Sequence, residues 1–248
     1  MPLLDVKNIT KEYPSFAIRD ISFTIPKGKI IGLIGKNGAG KSTTLKSILN
    51  LVPVNQGKIE MFGKNFLTEE IYCKQQLGVV LGSFDFYKEK KIKDITKVTK
   101  RFYSQWDESV YQKYLAAFSL DSEKKVKELS AGMQVKYSIA LALSHQAKLL
   151  IFDEPTSGLD PVSRDDLISI FLQIVKEGQR SILFSTHITS DLEKCADDIL
   201  YIKDGHLIKA APKAEFIDSF QYLKTAEDTH DLSLEEIMIR MEGKHYDF

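Results

Sequence analysis

The sequence predicts an α/β protein with a mainly parallel sheet, an antiparallel β region at its N-terminus and an α-helical subdomain inserted into the core. Three features predict this. Residues 29–34 are apolar and β-branched, read as a buried strand, and lead straight into a glycine-rich loop and a helical pattern. Strand and helix patterns alternate again from residue 148 to 203, as they do when crossover helices join parallel strands. Residues 85–147, between these halves, read as helices. The expected organisation is a core of residues 1–84 and 148–213, a helical insertion of 85–147 and a C-terminal helical tail of 214–248.

Composition supports a packed protein and narrows its partners. The chain has 248 residues, 43% of them hydrophobic, enough for one large domain with an inserted part. Its 34 basic and 34 acidic residues balance, which argues against a nucleic-acid protein with a basic stripe. Cys73 and Cys195 form no metal spacing, so a reduced, cytosolic setting is expected. The opening Met1-Pro2-Leu3-Leu4-Asp5 does not read as a signal peptide. No run approaches the roughly 18–20 apolar residues of a membrane helix, so no direct membrane insertion is expected.

Taken in order, residues 3–9 and 16–25 read as short strands. Tyr13, between them, is either an ordinary loop aromatic or a ring that stacks on a nucleobase. Pro26-Lys27-Gly28 turns the chain into the 29–34 strand. Then comes Gly35-Lys36-Asn37-Gly38-Ala39-Gly40-Lys41-Ser42, a full match to G-x-x-x-x-G-K-[ST], the phosphate-binding P-loop. Its turn bares backbone N–H groups at the positive end of a helix dipole, where a polyphosphate fits. Lys41 is expected to reach the β- and γ-phosphates and Ser42 to ligate Mg²⁺. This P-loop NTPase core predicts binding of a nucleoside triphosphate. Leu45, Ile48, Leu49 and Val52 give the following helix its apolar face.

Residues 57–62 read as an edge strand, 68–76 as a short helix and 77–81 as a buried strand. Residues 88–101 interleave six lysines with Ile92, Ile95 and Val98, an amphipathic helix with a basic, solvated outer face. Helices are expected over 108–118 and 131–145; Leu129-Ser130-Ala131-Gly132-Met133 opens the latter, with Ser130 as N-cap and Gly132 baring N–H groups toward an anion. The strand 148–152 ends in Asp153 and Glu154, two carboxylates at the C-terminal edge where parallel sheets bind ligands. Asp153 suits a Mg²⁺-ordering role and Glu154 a general base that activates water. A helix over 161–177 and a strand over 180–185 follow, and His187 comes out at the same edge, a candidate for holding the γ-phosphate or the attacking water. A helix over 189–196 and a strand over 198–203 complete the core. The tail shows helical stretches at 215–223 and 234–241 but no readable chemistry.

With these motifs in this order the chain resembles the ATP-binding subunits of ABC transporters across residues 3–210. The segment from Gly35 to Thr43 is similar to that family's P-loop, and Leu149 to Pro155 to its magnesium motif. Ser157-Gly158-Leu159-Asp160 is similar to its dimer-interface loop, His187 to its switch histidine and Tyr13 to its adenine-stacking aromatic. Leu129 to Met133 resembles the signature Leu-Ser-Gly-Gly-Gln, with Ala131 and Met133 as departures; Gln134 follows directly. Gly82-Ser83 stands where the family has a glutamine that touches Mg²⁺ and the membrane partner.

The resemblance implies an ATPase whose two subunits form a head-to-tail dimer, homodimeric or with a related chain. Each ATP, with Mg²⁺, is then held by the P-loop of one subunit and the signature helix of the other. It further implies a separate transmembrane permease subunit, and so a cytoplasmic protein held peripherally at the membrane. Residues 102–107 and 185–193 look like single-domain ATPases of bacterial peptide, drug and antibiotic exporters, which implies export. The alternative is a soluble ABC-type ATPase acting on nucleic acid or ribosomes. Such proteins usually carry two ATP-binding domains or a long coiled coil, for which the interval from Lys41 to Ser130 has no room.

Overall fold

The computed structural model describes residues 1–81 and 87–243. The substitution noted at Gly82-Ser83 lies outside the described residues. Strands β1 (Leu4–Tyr13) and β2 (Phe16–Ile25) form an antiparallel hairpin whose last pair is Tyr13 opposite Phe16. β3 (Ile30–Ile34) is buried throughout and leads into α1 (Lys41–Ile48). β4 (Gln56–Met61) pairs antiparallel with β1 and with the two-residue β5 (Lys64–Asn65). After α2 (Glu70–Lys74) and β6 (Leu77–Leu81) come three helices, α3 (Ile92–Thr99), α4 (Glu108–Ala117) and α5 (Ala131–Ser144). The chain re-enters the sheet through β7 (Leu149–Asp153), which lies parallel to β6. α6 (Pro161–Val175), β8 (Ser181–Thr186), α7 (Thr189–Cys195) and β9 (Asp198–Lys203) follow.

With a last strand, β10 (His206–Pro212), the described strands form one sheet in the order β5-β4-β1-β2-β10-β9-β3-β8-β7-β6. The run β9-β3-β8-β7-β6 is parallel, and the N-terminal strands are antiparallel, as expected. Period-two alternation divides the buried strands between two cores. Ile30, Ile34, Leu150, Phe152, Ile182 and Phe184 join the cluster that holds α6 and the tail. Ile31, Leu33, Leu149, Ile151 and Leu183 join the cluster that holds α1 and the hairpin. The helical subdomain has its own core of Ile92, Tyr111, Leu115, Val126 and Tyr137. At its centre the Thr96 hydroxyl lies 2.7 Å from the Tyr111 hydroxyl and 2.8 Å from that of Tyr137.

Several expectations change. β4 is not an edge strand, because β5 covers its outer side. β6 is less buried than expected, since it ends the sheet, pairs with β7 alone and leaves Val79 41% exposed. α3 begins at Ile92 rather than residue 88, and its basic face is not simply solvated. Lys91 and Lys93 pair with Glu123, and Lys100 with Glu108. The strand β10 (His206–Pro212) is absent from the sequence expectation: its exposed positions include the apolar Ile208 and Ala210, so polarity does not alternate with burial along it, and one strand pair (His206 with Arg19) joins it to β2. The tail, α8 (Lys213–Ser219) and α9 (Leu234–Glu242), belongs to the main core, where Phe216, Leu234 and Ile237 are fully buried.

Candidate active site

The P-loop turns because its glycines take conformations closed to other residues. Gly40 has φ of 117°, and a side chain there would strike Ile18. At Gly35 a Cβ would lie 2.2 Å from the Ile202 carbonyl oxygen. Gly40 is the N-cap of α1, and no side chain caps that helix, so its first-turn N–H groups face the loop free to bind an anion. In front of them lies a cavity of about 590 Å³. Asn37, Gly38, Gly40, Lys41, Ser42 and Thr43 form one wall, and Glu154, Ser157 and His187 the other.

Lys41 is 5% exposed. Its ammonium donates to the Gly35 carbonyl at 2.8 Å and the Lys36 carbonyl at 3.4 Å, and lies 3.3 Å from the Glu154 carboxylate. The other Glu154 oxygen is 2.8 Å from His187 Nδ1. Glu154 has φ of 52°, a left-handed turn that swings its side chain off the strand direction, and its N–H donates to the Ser185 hydroxyl at 2.9 Å. That hydroxyl donates to Asp153 at 2.5 Å, so Ser185, which the sequence reading did not single out, orients both acids. Its signal was available, since it ends the strand beside them.

The remaining predicted residues separate by place. Ala39 is buried under the loop, while Gly35 and Lys36 line a neighbouring cavity of about 410 Å³ shared with His187 and α9. Tyr13 is 41% exposed at the hairpin tip with Lys11 Nζ 5.3 Å above its ring. Phe16, its cross-strand partner, lines the 590 Å³ cavity instead and was missed, because nothing in the sequence ranks it above Tyr13. Ser130 and Gly132 do not line this cavity. The Ser130 hydroxyl caps α5 by accepting from Met133 N–H at 3.3 Å, and Gly132 sits against Ser163 and Leu159 at the start of α6. The Gln134 amide reaches back to the Leu129 carbonyl at 3.2 Å. Asp160 caps α6 through Val162 and Ser163, bonds that hold its carboxyl below the usual range.

Asp153 and Ser42 carry hard oxygen donors of the kind Mg²⁺ takes beside phosphate oxygens and water; Ser42 lines the 590 Å³ cavity, while Asp153, bonded to Ser185, does not. Among the described residues no cluster of three His, Cys, Asp or Glu could hold a metal alone. The donor set therefore fits an ion brought with the nucleotide. No described helix is long and apolar enough to cross a membrane.

Residues 18–157 match the model of the ABC transporter family. The chain is 31% identical over 210 residues to the bacitracin transport ATP-binding protein BcrA of Enterococcus faecalis, covering 84% of this chain and 68% of that protein. It is 34% identical over 209 residues to the lantibiotic transport ATP-binding protein SrtF of Streptococcus pyogenes, covering 83% and 89%. A solved ATP-binding subunit of an ABC transporter superposes with a TM-score of 0.83 at 26% identity, covering 97% of this chain and 99% of that one. With its P-loop, paired acids and histidine at one sheet edge, the chain belongs to the ABC transporter family as an ATP-binding, ATP-hydrolysing subunit.

Proposed function

We propose that two such subunits close head to tail over two ATPs and drive a separate transmembrane permease subunit in the direction of export. One observation carries this reading: the P-loop cavity holds Lys41, Glu154 and His187 from one chain, while Ser130 and Gly132 sit elsewhere on the same chain. A helix start from a second subunit completes the phosphate cage and excludes water. Lys41 and the N–H groups of α1 hold the phosphates, Tyr13 stacks on the adenine, and Glu154 takes a proton from the attacking water. His187 holds that water or the γ-phosphate, and its bond to Glu154 keeps the base in place. Asp160 carries the interface loop against the partner. Thr43 stands on the phosphate wall of the cavity, and Ser42 and Asp153 would hold Mg²⁺, which would supply positive charge against the phosphates. The transport relatives of bacteria support a permease partner and a cytoplasmic, peripheral location. Zero net charge disfavours the nucleic-acid alternative.

The test is to isolate the tagged chain from detergent-solubilised native membranes. A co-purifying polytopic membrane protein is the expected result, whereas ribosomal proteins or DNA would sink the transporter reading. Separately, Glu154→Gln is expected to dimerise on ATP with Mg²⁺, read by light scattering. A monomer at saturating ATP, alone and with the permease, contradicts the closed pair.

A further inference from the structure

Among the described residues four buried side-chain polar atoms have no hydrogen-bond partner: Ser47 Oγ, Thr156 Oγ1, Arg164 Nε and Asp191 Oδ2. The last three lie on the stretch that runs from Glu154, through the loop of Ser157 to Asp160, to the helix that follows His187. Native interiors satisfy most such atoms, so orphans grouped in one functional stretch need a reason.

Arg164 and Asp191 face each other. Arg164 stands near the start of α6, and its Nη2 donates to the Leu159 carbonyl at 3.4 Å. Asp191 is in the first turn of α7 and 1% exposed. The gap from Arg164 Nε to Asp191 Oδ1 is 3.9 Å. A charge-assisted N–H···O bond closes at about 2.8 Å, so the two stop about 1 Å short. A carboxylate this deep gains strongly from a complete bond, because its water has been removed. Holding α6 and α7 together does not require this pair, since Leu167, Ile168 and Phe171 of α6 and Leu192 and Cys195 of α7 already share one buried core. What the buried pair adds is a link to the loop. One guanidinium touches a carbonyl of the Ser157–Asp160 segment and faces the helix that begins two residues after His187.

We propose that Arg164 and Asp191 are positioning residues for ATP hydrolysis: the guanidinium couples the Leu159 carbonyl to Asp191, so that pressure on the interface loop is passed to α7, His187 and Glu154. The proposal rests on the roles given above to Glu154, His187 and the second subunit. When that subunit presses on the loop, Arg164 advances by about 1 Å, the bond to Asp191 forms, and α7 is fixed so that His187 Nδ1 keeps its 2.8 Å contact with the Glu154 carboxylate during turnover. Arginine suits the task because its planar fork can serve two acceptors at once; a lysine ammonium on a flexible stem cannot hold both in a fixed relation. The other groups near Asp191 are the Cys195 thiol, which donates to the Asp191 carbonyl at 3.2 Å, and Asp197 and Lys213, which act with Asp191 on that thiol. None of them is hydrogen-bonded to Asp191 Oδ2, which has no partner among the described residues.

The test compares Arg164→Lys, Asp191→Asn, their double variant and Asp191→Glu in the full chain with its membrane partner. ATP binding, kcat, KM and thermal melting are measured for each, with Glu154→Gln as control. Arg164→Lys and Asp191→Asn are each expected to lower kcat about tenfold with KM for ATP within about twofold, and their double variant to be no worse than either of the two. Asp191→Glu, one methylene longer, is expected to restore kcat toward wild type even where it melts earlier. A merely structural pair would instead show kcat tracking the melting temperature, and that result overturns the proposal. Additive losses in the double variant overturn it too, as does wild-type kcat in both single variants while Glu154→Gln is inactive. Turnover in Glu154→Gln equal to wild type would overturn the assignment of the base, and this proposal with it. Should Asp191→Asn fail to fold, the kcat and KM of Arg164→Lys decide alone.

Discussion

The Lys41 ammonium meets the Gly35 and Lys36 carbonyls and the Glu154 carboxylate in nearly complete burial. A phosphate at the mouth of the loop is a stronger partner than a carboxylate 3.3 Å away, so binding is expected to draw Lys41 from Glu154, the proposed base, and free it to face water. Lys41→Ala removes that cation. ATP binding is expected to weaken and turnover to fall at least 100-fold, about the scale of losing one electrostatic anchor of a transferring group. Near-normal hydrolysis in that variant, measured by phosphate release, would overturn the P-loop assignment. Glu154→Gln keeps the shape and the His187 contact but loses the base, so ATP binds while kcat drops by roughly 10²–10⁴. Tyr13→Ala tests the base-stacking role. Stacking tolerates any base, so ATP and GTP affinities are expected to fall together, by about tenfold. Unchanged affinity for both nucleotides would assign Tyr13 to the hairpin alone and turn attention to Phe16.

At the scale of elements, the helical subdomain meets the sheet through the apolar face of α5 and through a small polar joint around Gln75. Its amide takes the Phe102 carbonyl and the Ser104 N–H, and its own carbonyl accepts from His145 Nδ1 at 3.3 Å, at the C-terminal end of α5. The His145 ring stacks on Tyr103 with centroids 3.7 Å apart. Burial lowers the His145 pKa to about 4, with the Gln75 bond acting in the opposite direction. The folded protein therefore holds this imidazole neutral where the unfolded chain, with a pKa near 6.5, would protonate it. Between those values the unfolded state binds more protons, so the contribution is complete above about pH 6.5 and declines as pH falls toward 4. Melting temperature is expected to drop from pH 7 to 5, and His145→Gln to flatten that dependence. Equal slopes in the two proteins would show that this joint does not sense pH. The same helices explain what sequence patterning caught. The 131–144 stretch was recognisable by its serine cap and apolar run, whereas β10 hid because a half-exposed strand has no strong alternation to read.

For the whole molecule, the tail is part of the ATPase core. Leu234 and Ile237 are fully buried beside Leu192, Tyr201 and Phe216, and Glu242 accepts from the Tyr201 hydroxyl at 2.6 Å. A two-pronged bond from Arg240 holds Asp228 well below the usual carboxylate range and pins the connecting loop. Ile237→Ala is expected to lower stability by about 2–4 kcal/mol, the scale of a large-to-small change in a packed interior. It should also slow turnover, because α9 shares the cavity of His187 and Lys36. A melting temperature unchanged from wild type would show that the tail packs loosely on the core.

Local chemistry was readable in the sequence wherever function depends on short-range spacing. The P-loop, the acid pair after β7, the cap at Ser130 and the histidine after β8 each declare themselves within a few residues, because strand, turn and helix are set by neighbours along the chain. The parallel core was readable for the same reason, as strands and helices alternate with clear apolar runs. Tertiary structure alone decided the rest. Ser185 orients both acids because β7 and β8 happen to be neighbours, and Phe16 lines the cavity because the hairpin folds over α1. The buried approach of Arg164 to Asp191 and the docking of the tail join residues far apart in sequence. No local pattern encodes such contacts, since they depend on which apolar faces find one another when the sheet closes.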